Sequence, residues 1–161
     1  MVLLLESIFV CIFFTVFVAI MAKDPVKTIY NYPPAIVRRA EELGLVNPGN
    51  RPGGTAFYIK KCCALVLFGV LLGFLVRFVN HAESFQQGAR LAYILWCVGN
   101  IWDALVMDCL WFCHDKRFII PGTEDLTEAY HDYWFHIKGS LIGMAIGIPA
   151  ALIAGLIVII I

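Results

Sequence analysis

Charge is scarce in this sequence. Asp, Glu, Lys and Arg make up 15% of its 161 residues and hydrophobic residues 61%, whereas soluble domains run nearer a quarter charged and half apolar. With a mean hydropathy of +0.82, a chain this short lacks the volume to hide its apolar surface from water. That excludes an ordinary soluble domain and leaves lipid as the expected solvent. A net charge is missing too: Lys plus Arg and Asp plus Glu number 12 each, so no global basic field calls for nucleic acid, and no nucleic-acid partner is expected. Also absent are a hydrolase elbow, a dinucleotide fingerprint, a P-loop and a zincin pattern. There is no loop framework of cysteines either. Cys11, Cys62, Cys63, Cys97, Cys109 and Cys113 fall in or beside apolar stretches, which argues against a disulfide scaffold.

What is present is four long apolar runs, at about 2–22, 62–79, 91–113 and 139–161. Each meets or approaches the roughly 20 residues that a helix needs to cross a hydrocarbon core. Lys60, Lys61 and Arg77 can snorkel from the second, shortest run to the two interfaces. The first run has no basic leader, carries Glu6 and offers no small-residue cleavage site before Lys23; it reads as a retained span, not a signal peptide. The expected fold is all-α, a single four-span membrane domain forming a four-helix bundle without internal repeats.

Charge distribution predicts orientation. Lys23, Lys27, Arg38, Arg39, Arg51, Lys60, Lys61, Lys116, Arg117 and Lys138 lie in the first and third connections, and only Arg77 and Arg90 near the second. Ten against two assigns 23–61 and 114–138 to the cytoplasm and both termini to the outside of a cell membrane. Within the first connection, Pro33 and Pro34 precede AIVRRAEELG, where Ile36, Ala40 and Leu43 share a face and Gly44 suits a C-cap. A short amphipathic helix is expected over about 34–43. The NPGNRPGG segment that follows reads as a connector, with Arg51 and its amides as the alternative anion contact.

The third run is interrupted by Asn100, Asp103 and Asp108. If the helix ends near Cys113, Asp103 lies about 15 Å inside at 1.5 Å per residue, where an ionised carboxylate costs roughly 2.5–3.5 kcal/mol unless it faces protein or water. At α-helical spacing Trp96, Asn100, Asp103, Met107, Trp111 and His114 share a stripe, with Asp108 off it. Two readings stand for Asp103: a protonatable group for a proton, cation or polar solute, with Asn100 as partner, or an interhelical clamp. Glu6 and Arg77 lie near the opposite boundary and can pair or snorkel separately.

Gly139, Gly143, Gly147, Ala151 and Gly155 recur every fourth residue in the last run, and Gly69 and Gly73 repeat the spacing in the second. Such glycine-zipper strips let backbones approach closely, between these helices or between two copies. Pro149 should kink the last span or free a carbonyl.

Thr123 is expected to cap an amphipathic helix over about 124–138. Its polar face would gather Glu124, Asp125, Glu128, His131, Asp132 and His136, at spacings that stack side chains on successive turns. Glu128, His131, Asp132 and His136, with His114, form a candidate divalent-metal set. The bland alternative is a helix lying on the bilayer with its aromatic face down. Three functions follow. The chain is a small transporter, channel or membrane-complex subunit with a cation- or proton-binding Asp103; or a membrane-embedded, metal-dependent enzyme using the cytoplasmic Asp/Glu/His group; or a structural assembly protein. Because one four-span bundle encloses little room, transport calls for a homo-oligomer or a partner membrane subunit in the lipid bilayer.

Overall fold

A computed structural model describes residues 1–161, apart from the side chain of residue 21. The chain is all-helical, and four of its helices are long and apolar enough to cross a membrane. Helix α1 is Val2–Met21. A 3-10 helix at Pro25–Asn31 leads to α2, Pro34–Glu42. Helix α3 is Gly54–Phe78 and α4 is Phe85–Trp102, the latter continuing as a π-helix over Asp103–Phe112. The short α5, Thr127–Tyr130, precedes α6, Tyr133–Ile160.

These bounds differ from the apolar runs where local chemistry overrides hydropathy. Helix α3 starts eight residues before Cys62, since nothing between Gly54 and Lys61 breaks a helix. The third long helix begins at Phe85, where Ser84 Oγ accepts from Gln87 N and satisfies one of the free N–H groups of the first turn. Helix α6 begins at Tyr133 for the same reason, with Asp132 Oδ1 accepting from Phe135 N at 3.0 Å.

Helix α6 is the hub, packing chiefly on α4 and then on α3, while α1 leans on α4 and its π continuation. The contacting glycines of the small-residue strip in α6 face α4. A Cβ built at Gly143 would strike the Asn100 amide, one at Gly147 the Trp96 indole, and one at Gly155 the Phe85 ring and carbonyl, so these glycines admit α4. Gly69 and Gly73 admit α6 at other positions: their added Cβ atoms would lie 2.8 Å from the Ala150 oxygen and 2.6 Å from Ile157 Cβ. Gly139 meets nothing. The two glycine strips therefore do not face each other; each receives a neighbour's larger groups. Pro149 stands inside α6.

The first and third connections meet at one end of the bundle in a second core. Ile29, Tyr32, Ile36, Ala40, Phe112, Phe118, Ile120 and Tyr130 are buried together. Helix α2 ends in a Schellman turn: Gly44 takes φ +69, Gly44 N donates to Glu41 O and Leu45 N to Ala40 O. Thr123 does not cap a helix. It is fully buried, its hydroxyl donating to Ile120 O at 2.8 Å and sharing a 2.7 Å hydrogen bond with Tyr130 Oη, which also accepts from Ile120 N. Burial pushes the Tyr32 phenol well above its ordinary pKa, with the neighbouring Tyr130 adding to the effect.

Candidate functional site

A cavity of about 540 Å³ opens between the start of α6, the lower half of the third long helix and the Tyr30–Asn31 segment. Its polar wall comes from Asn31, Asn100, Asp103, Asp108, His136, Lys138 and Ser140. The π-helix explains how both aspartates reach it. In an α-helix residues five apart lie about 140° apart around the axis. The π winding replaces i→i+4 with i→i+5 bonds, as in Cys113 N to Asp108 O at 3.0 Å, so residues five apart approach alignment. Asp108, off the stripe at α-helical spacing, thereby joins Asp103.

His136 is the second unexpected member. Its side chain is only 4% exposed, Nδ1 lies 3.1 Å from Asp108 Oδ2, and Nε2 is buried without a partner. The Phe112 and Phe135 rings flank it, at centroid separations of 5.1 and 5.3 Å. In the neutral imidazole, an Nδ1 hydrogen donated to the Asp108 carboxylate leaves Nε2 as an acceptor. Asn100 Oδ1 accepts from Ser140 Oγ at 2.7 Å, tying α4 to α6 one turn above His136. Asp103 faces the cavity and, among the described residues, takes no ion pair or side-chain hydrogen bond.

The acidic and histidine-rich segment is not one helix. After Thr123 the chain makes a turn, α5 lasts four residues, and the backbone breaks at His131–Asp132 before α6. Asp132 is consumed as the α6 N-cap, and Glu128 stands exposed. His131 Nδ1 meets Thr127 O at 2.8 Å, and the His131 and His114 rings lie 5.2 Å apart at the exposed surface, where Tyr133 Oη meets His114 Nε2 at 3.1 Å. His136 is turned inward to Asp108 instead. The helical stacking that suggested a metal set is thus lost, and among the described residues no three His, Cys, Asp or Glu side chains are grouped to hold a metal ion.

Two alternatives left open by the sequence also resolve. Arg51 forks onto Glu41, with Nε 2.6 Å from Oε1, so it is engaged internally and holds the Glu41 carboxyl below its usual range. Glu6 and Arg77 do not pair: Asn80 Nδ2 donates to Glu6 Oε2 at 2.8 Å, while Arg77 donates to Ala82 O at 3.2 Å. Sequence reasoning missed Ser140 and the inward turn of His136. The available signal was Asp132 three residues before Phe135, which marks a helix start and makes His136, Ser140 and Gly143 one continuous face. No family model matches the chain, and no curated protein or solved structure shows detectable similarity to it.

Proposed function

We propose that this chain is a multi-pass integral membrane protein that binds a cation or passes a proton at Asp103, as a small transporter or channel or as a subunit of a larger membrane complex. The observation that carries the reading is the unpaired Asp103 carboxylate beside the Asp108–His136 pair, lining an open cavity within an otherwise apolar bundle. Ionisable groups inside a span face protein or water and mark ion or proton routes by default. A carboxylate serving only as a clamp would be expected to carry a partner; Asn100, bound to Ser140, does that job here.

In this reading the end bearing the packed connections is cytoplasmic, in keeping with its excess of Lys and Arg, and both termini face outward. The bundle has lipid as its first partner, and a second copy or another subunit completes any through-path. A membrane-embedded acid–base enzyme is the second reading, favoured by one observation: Asp108 orients His136 through Nδ1, the arrangement that prepares an imidazole for proton transfer.

Reconstituted proteoliposomes test the first reading, with an entrapped pH dye and with sodium or potassium gradients. Wild-type protein should carry a proton or monovalent-cation flux that falls by about two orders of magnitude in Asp103→Asn, the loss expected when a charged contact worth about 2–3 kcal/mol is removed. Flux that survives this substitution unchanged removes Asp103 from the mechanism. If wild-type protein carries none, a structural or assembly role takes its place.

A further inference from the structure

We propose that the cavity at Asp103 is a binding site for a small organic cation of the alkyl- or arylammonium class. This deepens the cation-site reading and rests on it. Size is the first argument. At about 540 Å³ the cavity falls in the range of small-molecule sites, about 300–1,000 Å³. Calcium and magnesium take six or more oxygens at roughly 2–2.6 Å and zinc four ligands, and no group of three His, Cys, Asp or Glu side chains converges here among the described residues.

Chemistry is the second. The wall combines two carboxylates, Asp103 and Asp108, with the Asn100–Ser140 amide and hydroxyl pair. Tyr30 and Phe135 line the same cavity. An ammonium head satisfies the carboxylates through charge-assisted hydrogen bonds. An apolar or aromatic tail suits the rings, whose faces also attract cations. The cation on the wall, Lys138, lies over the Trp134 ring with Nζ 5.5 Å from its centroid. Among the described residues it makes no ion pair with either aspartate.

The third argument is an unpartnered imidazole nitrogen. His136 lines the same cavity, is more than nine-tenths buried and leaves Nε2 without a partner. Such an orphan is costly in a closed core. With Nδ1 donating to Asp108 in the neutral imidazole, Nε2 is left as an acceptor, the group an ammonium N–H requires.

The test is binding calorimetry on the protein in lipid nanodiscs, with benzylammonium, its uncharged isostere benzyl alcohol, sodium and potassium as separate probes, backed by proton-release measurements. Benzylammonium should bind saturably, about ten-fold or more weaker in Asp103→Asn, and benzyl alcohol should not compete. Glu83→Gln, which removes an exposed carboxylate outside the cavity lining, should leave binding unchanged. Equal binding of benzyl alcohol, or benzylammonium binding indifferent to Asp103→Asn, overturns the proposal. Asp103-dependent binding of sodium, potassium or a proton without benzylammonium overturns the organic class and leaves the cation site standing. No Asp103-dependent binding of any probe removes both.

Discussion

His136 Nδ1 and Asp108 Oδ2 lie 3.1 Å apart, joining the first turns of α6 to the π segment that continues α4. Losing the Asp108 carboxylate leaves the buried His136 Nδ1 without its ionic partner, at a cost of about 1–3 kcal/mol, whereas Asp108, 34% exposed, can turn to water when His136 is replaced. Asp108→Asn and His136→Gln should each lower the thermal midpoint in detergent. The double variant should lose less than the sum, with a coupling energy of about 1 kcal/mol or more. Strict additivity in that cycle would show that the two side chains do not act as a pair.

The small residues of α6 should divide by partner. Gly147→Ala drives a methyl into the Trp96 indole, whose Nε1 donates to Gly143 O at 2.9 Å, and should cost about 1–3 kcal/mol. Gly139→Ala meets nothing and should be neutral or, through helix propensity, stabilising by up to about 1 kcal/mol. Equal unfolding midpoints for the two variants would refute the packing described for α4 and α6.

Tyr130→Phe tests the core built from the two connections. The phenol oxygen serves both Ile120 N and Thr123 Oγ1 in a fully enclosed setting. Its removal should destabilise by about 1–3 kcal/mol and speed proteolysis within residues 115–132, while the long helices stay intact by circular dichroism. Tyr130→Phe with wild-type protease resistance would show that this end is held otherwise.

Asp115 supplies a pH prediction. Arg117 hydrogen-bonds its carboxylate through side chain and backbone, the Trp111 indole donates to it at 2.7 Å, and together these hold its pKa well below the usual carboxylate range. A depressed pKa means that the unfolded chain binds the proton first. The contact's contribution is therefore full above about pH 3.9, the ordinary Asp value, and fades as pH falls through the lower folded value. Trp111 emission should hold steady from pH 6 to about 4 and change only below that, with Trp111→Phe as the reference spectrum. In Asp115→Asn the acid transition should vanish. A wild-type midpoint above about pH 4 would contradict the ion pair.

Hydropathy alone determined that four helices would be long and apolar enough to cross a membrane, because twenty apolar residues in a row have few other ways to satisfy their backbone. The α2 helix, with Pro34 at its start and Gly44 at its end, was legible for the same local reason: both residues act through their own backbone geometry. So was Asp103 as the residue to explain. What one-dimensional spacing left undecided depended on partners far along the chain. The segment around Glu128 and His136 carries an amphipathic pattern, yet Thr123 is drawn into the Tyr130 pocket and Asp132 is taken as a cap, which splits the expected helix. Asp108 and Asp103 reach one cavity because the backbone winds with an i→i+5 register, and a pattern read at 3.6 residues per turn places them apart. The scarcity of charge determined that the long helices would be apolar enough to cross a membrane; only the tertiary structure decided which of its few charged and polar groups would meet, because that depends on winding and burial that no local spacing encodes.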